Sequence, residues 1–124
     1  MSTPPESAYC LVLTTVSTAQ QAETLARQIV ETGLGACVQI AAIRSVYRWQ
    51  GALCDEPEQR LSIKTRRACF EALERFIRAN HGYETPEIVQ IPITAGSAAY
   101  LRWIDEAVRG GPDDSEPEGQ FALP

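Results

Sequence analysis

The chain has 124 residues, 44% hydrophobic and 22% charged, with a formal net charge of -5, the make-up of one ordinary globular domain that buries roughly two-thirds of its surface. Asp113, Asp114, Glu116 and Glu118 lie in the last stretch of chain, which leaves 12 acids against 11 bases elsewhere and excludes the concentrated basic face that nucleic acid requires. No apolar run is long enough to span a membrane.

The N-terminus from Met1 to Ser7 is polar and carries Pro4 and Pro5. It lacks the basic and apolar segments of a signal peptide, so the cytoplasm is the expected location. Tyr9 to Val16 (YCLVLTTV) is apolar and rich in β-formers, and is predicted to be a buried strand. Ser17 offers an N-cap oxygen for a helix whose stripe is Ala22, Leu25, Ala26, Ile29 and Val30. Gly33 is placed to end that helix in a left-handed conformation, with Leu34 folding back on it.

Ala36 to Trp49 carries no helical period and reads as a long strand bent near Arg44 and Ser45. Gln50-Gly51 marks a hairpin turn, and the return strand runs from Ala52 to about Lys64 with Leu61 and Ile63 on one face. Pro57 lacks a ladder donor and is expected to mark a bulge or interruption. A second helix follows from about Arg67 to Asn80, with Phe70, Leu73 and Ile77 inward. A short strand from Ile88 to Ile93 contains Pro92, which suits a sheet edge. A third helix from about Ser97 to Arg109 shows Leu101, Ile104 and Val108 on one face.

This order predicts an α+β fold of the ferredoxin-like split β-α-β class (βαββαβ), with a long bent middle hairpin and an extra C-terminal helix. Residues 1–109 form the single domain, and 110–124 form an acidic, Pro- and Gly-rich tail expected to be disordered. The hairpin would project past the sheet and expose Tyr47, Trp49 and Leu53, and self-association is the simplest cover for such a ribbon.

The fold is a scaffold and leaves the chemistry open. No Gly-x-Ser-x-Gly elbow, Cys-His signature or phosphate-cradling glycine loop is present. The place of an acylphosphatase-type anion loop reads Thr14-Thr15-Val16-Ser17-Thr18, without the arginine such chemistry needs. The carboxylate pairs Asp55/Glu56 and Asp105/Glu106 read as solvated faces. Cys10, Cys37, Cys54 and Cys69 show no zinc-ribbon spacing and read as free thiols. The single histidine, His81, is either a helix-terminal cap or a metal ligand needing a thiol such as Cys37 or a neighbouring subunit. The segment Tyr83-Glu84-Thr85-Pro86-Glu87 is either a proline-stabilised turn or a binding loop. Lys64, the one lysine, is a solvated strand end or a partner for Glu84 or Glu87. Tyr100 and Trp103 read as core or subunit contact.

Five blocks, in order and with compatible spacing from about Tyr9 to Val108, resemble the CutA divalent-cation tolerance family. They are Gly35-Ala36-Cys37-Val38, Ser45-Val46-Tyr47-Arg48-Trp49-Gln50-Gly51, Ile63-Lys64-Thr65, His81-Gly82-Tyr83-Glu84-Thr85-Pro86-Glu87-Ile88 and Tyr100-Leu101-x-Trp103-Ile104. The resemblance implies a non-catalytic cytoplasmic homotrimer linked to copper(II) or another divalent cation, with no organic cofactor. Its partners would be copies of itself and a divalent metal ion or small ligand, with Tyr47, Trp49, Leu53, Tyr100 and Trp103 at the trimer interface. Cys37 and His81 are the metal-contact positions it implies.

The family is similar in architecture to the PII signalling trimers. That likeness implies an alternative, a regulatory trimer whose intersubunit cleft near Lys64, Tyr83, Thr85 and Glu87 binds a small anion or metabolite. The chain departs from the family pattern at Thr14, Ala52, Cys54, Asn80 and Gly82.

Overall fold

The computed structural model describes residues 7–108; the acidic tail and the boundary at residue 109 lie outside the described residues. Chain order is β1 (Tyr9–Val16), α1 (Ala19–Glu31), β2 (Cys37–Trp49), β3 (Ala52–Arg66), a short 3-10 turn (Arg67–Cys69), α2 (Phe70–Ala79), β4 (Val89–Pro92) and α3 (Ala98–Ala107). The sheet order is β2-β3-β1-β4 with every neighbour antiparallel. This is the expected ferredoxin-like arrangement, and it puts Pro92 on an edge strand.

Alternation along β1 and β3 divides the sheet into two faces. Cys10, Val12, Leu61 and Ile63 point to one face and pack with Ala22, Leu25 and Ile29 of α1 and Leu73 and Ile77 of α2. Tyr9 and Cys37 alternate to the other face, where α3 seats Trp103 and Ile104 beside Ala36, Cys69 and Val108. The Tyr9 hydroxyl donates to Asp105 of α3 at 2.6 Å, so one acid of the Asp105/Glu106 pair serves as an anchor.

Three local expectations change. The N-cap of α1 is Thr18, which accepts from the Gln21 amide while the Gln21 side chain accepts from the Thr18 amide; Ser17 instead donates to Gln21. This reciprocal capping box satisfies two donors where Ser17 would satisfy one. Val30 is 45% exposed, because α1 buries a narrower stripe than its apolar content suggests. Pro57 interrupts nothing: the β2–β3 register runs unbroken from Cys37↔Lys64 to Trp49↔Ala52, with Arg44 opposite Pro57. β1 flanks β3 only from Gln59 to Arg66, so Pro57 sits where β3 has a single neighbour and an open side.

The C-terminus of α1 closes as expected. Gly33 has φ 79, its amide donates to Val30 O at 3.0 Å, and the Leu34 amide donates to Ile29 O at 3.1 Å. The hairpin turn has φ 51 at Gln50 and φ 83 at Gly51, the paired positive angles that match the twist of a two-residue hairpin. The ribbon beyond β1 is held chiefly by cross-strand pairing, with Arg44 clasping Asp55 through two bonds of 2.7 and 2.8 Å. It leaves Val46 64%, Trp49 42% and Leu53 71% exposed in the single chain.

Candidate functional site

The segment that follows α2 turns round the end of β1 toward the base of the hairpin. His81 Nε2 lies 2.7 Å from the Thr15 carbonyl, and His81 Nδ1 accepts from the Tyr83 amide at 3.0 Å. A carbonyl only accepts, so Nε2 carries the proton and the ring is held as one tautomer. The rings of His81 and Tyr83 lie 4.9 Å apart, which stiffens the segment. His81 therefore works as a staple between this segment and β1, the cap-like reading of its two alternatives.

That staple aims Tyr83 at β3. Its hydroxyl donates to Glu58 Oε2 at 2.7 Å, and Glu58 is only 8% exposed. Among the described residues no ion pair neutralises Glu58. Burial first, and then the Glu58 bond, push Tyr83 far above the ordinary tyrosine range, so the phenol stays a donor. Tyr47 is also pushed up, chiefly by desolvation and then by Cys54, Glu56 and Glu58.

Between this segment and the ribbon lies a cleft of about 680 Å³. Tyr47, Trp49 and Tyr83 supply aromatic walls, Glu58, Glu84 and Glu87 supply carboxylates, and among the described residues no lysine or arginine lines it. Of the four residues expected to share a ligand cleft, Tyr83, Thr85 and Glu87 meet here and Lys64 does not. Lys64 lies six positions along β3 from Glu58, about 20 Å at strand rise. Its ammonium sits 5.4 Å from the centre of the Tyr100 ring instead of on Glu84 or Glu87. A small anion in this cleft would meet acids without a basic partner from the same chain.

The two metal-contact candidates are also kept apart. Cys37 pairs with Lys64 on β3 while Thr15, which holds His81, pairs with Arg60, a difference of four rungs or about 13 Å along the strands. Both ring nitrogens of His81 are engaged within the chain. Among the described residues no three His, Cys, Asp or Glu side chains are grouped to hold a metal ion, so a single chain does not fit a closed metal centre.

Of the residues expected at an interface, Tyr47, Trp49 and Leu53 are exposed on the ribbon. Trp103 is 8% exposed and belongs to the α3 core, and Tyr100 packs on it at 5.4 Å between ring centres. Sequence reasoning missed Glu58. Its burial depends on a contact with Tyr83 across 25 residues, and no local pattern announces it.

The profile of the CutA1 divalent ion tolerance protein family matches residues 10–107. The divalent-cation tolerance protein CutA of Thermus thermophilus is 41% identical over 97 residues, covering 77% of this chain and 94% of that one. The chloroplastic protein CutA of Arabidopsis thaliana is 41% identical over 100 residues, 80% of this chain, which spans only 55% of that longer protein. The solved structure of CutA from Synechococcus elongatus superposes with a TM-score of 0.80 at 41% identity, covering 85% of this chain and 94% of that one. With the profile matched over most of its length and the sheet superposing on a solved relative, the chain belongs to the CutA1 divalent ion tolerance protein family.

Proposed function

We propose that this protein is a non-catalytic homotrimer that binds divalent cations, copper(II) among them, in a tolerance role, and that it works in the cytoplasm. The observation that carries the reading is the ribbon: Val46, Trp49 and Leu53 stand exposed on the stretch of β2 and β3 that lies beyond the end of β1. An apolar surface of that kind is normally covered by another chain. Leu11 and Leu13 of β1, paired with Ile91 and Val89 of β4 on the same face, add a second apolar strip.

Assembly also bears on the metal. Cys37 and His81 do not meet within one chain, so a site using either would complete its donor set from a sister copy, and one using His81 would first free Nδ1 from the Tyr83 amide. Thiol and imidazole are donors that suit copper. The four cysteines are all free thiols, which accords with a reducing compartment; fractionation of cells with an antibody to the chain tests that location.

The test of the binding reading is a copper(II) titration of the assembled protein, unaltered and as Cys37→Ser and His81→Ala. Saturable binding that weakens in either variant is expected. Binding unchanged in both variants overturns the proposed site.

A further inference from the structure

The cleft beside the ribbon has a chemistry that the metal reading does not use. Its walls are the rings of Tyr47, Trp49 and Tyr83, and its charges are Glu58, Glu84 and Glu87. Neither Cys37 nor His81 lines it. Glu58 is more than nine-tenths buried, and the hydrogen bond from the Tyr83 hydroxyl occupies one of its carboxylate oxygens. Glu58 lines the cleft, and among the described residues no ion pair takes up its charge, so a cation entering the cleft meets it directly. Tyr47 and Tyr83 respond to the same field, since carboxylates contribute to raising both phenols.

We propose that this cleft is a binding site for an organic ammonium cation. A bare metal ion is a poor match, because no three carboxylates among the described residues are grouped around one point and small divalent ions demand close oxygen shells. An anion would meet no basic side chain among the described residues of its own chain. An alkylammonium needs less exact geometry: its nitrogen bonds carboxylates at ordinary hydrogen-bond distances, and its CH₂ groups and charge lie against ring faces. The volume of about 680 Å³ is that of a small-molecule site. The Trp49 ring, on the same face of the ribbon as Tyr47 and Glu58, gives the hydrocarbon part an apolar wall, while Glu58 sits among the lining groups as the buried countercharge.

Val46, Tyr47 and Trp49 also belong to the ribbon proposed to meet sister copies, so the experiment uses the full chain in its assembled state. Cadaverine is titrated calorimetrically, with its diol analogue and with magnesium chloride at matched charge as parallel arms. Saturable binding of cadaverine is expected, with no saturation by the diol and little displacement by magnesium. Glu58→Gln and Trp49→Ala should each weaken binding about tenfold, the size of one desolvated charge or cation–π contact. Glu87→Gln, at an exposed position, provides a further variant should Glu58→Gln fail to fold, and it should weaken binding severalfold. Absence of saturable binding overturns the inference, as does equal binding of the diol, full displacement by magnesium, or affinity unchanged in all the variants. Because the copper test reads Cys37 and His81 and this one reads Glu58, Glu87 and Trp49, either can fail alone.

Discussion

Replacing Tyr83 by Phe removes one oxygen and tests how the segment after α2 is held on the sheet. The hydroxyl donates at 2.7 Å to a carboxylate that is 8% exposed, and no ion pair among the described residues takes its place. A hydrogen bond to a charged group contributes about 1.5–3 kcal/mol, and stranding a buried acceptor costs a similar amount. Tyr83 is itself 36% exposed, so water reaches the vacated space and the expected loss is about 1–2 kcal/mol. Urea unfolding at fixed protein concentration measures it, because the stability of an assembly depends on concentration. Repeating the change on Glu58→Gln separates the pair from its surroundings: a glutamine oxygen still accepts, but without charge, so Tyr83→Phe should cost about 1 kcal/mol less there. A loss below about 0.3 kcal/mol, or strict additivity of the two changes, would refute the view that Glu58 anchors this segment.

Alkaline pH offers an independent reading of the same bond. The folded Tyr83 phenol is held above its ordinary value of 10.0, so its contribution is complete below pH 10 and declines as pH rises beyond it. The stability advantage of the unaltered chain over Tyr83→Phe, measured in reductant, should therefore shrink from pH 10 upward; an advantage that grows there contradicts the assignment. Gly35→Ala should destabilise by about 1–3 kcal/mol, because a Cβ there would stand 2.7 Å from Ile29 Cγ2 and 2.8 Å from Ile63 Cγ2. Trimming both branches with Ile29→Leu and Ile63→Leu should reduce the added cost of the methyl, as chemical denaturation will show. Thr18→Ala should cost about 1 kcal/mol through the lost capping box, and Ser17→Ala markedly less; equal effects would contradict the capping geometry.

The sheet was largely legible because each strand carried its own signal. Pro92 implied an edge, and Gln50-Gly51 implied a tight turn whose positive angles the structure displays. Where two local signals competed, the stronger was present and passed over: Thr18 and Gln21 have capping-box spacing, and Ser17 merely precedes them. Pro57 misled because its cost depends on whether a strand lies on both sides, which is a property of β1's length and not of β3's sequence. The cleft was half legible. Tyr83, Thr85 and Glu87 were placed together by adjacency in one segment, whereas Glu58 joined them only through folding, and Lys64 was kept away by strand register.

The measurement closest to the central claim is the mass of the protein in solution, by light scattering at micromolar concentration. The proposed homotrimer, with the Trp49 ribbon buried between copies, predicts a particle of about three times the 13.6 kDa protomer. A folded particle of one protomer's mass, with the ribbon left in water, would contradict it.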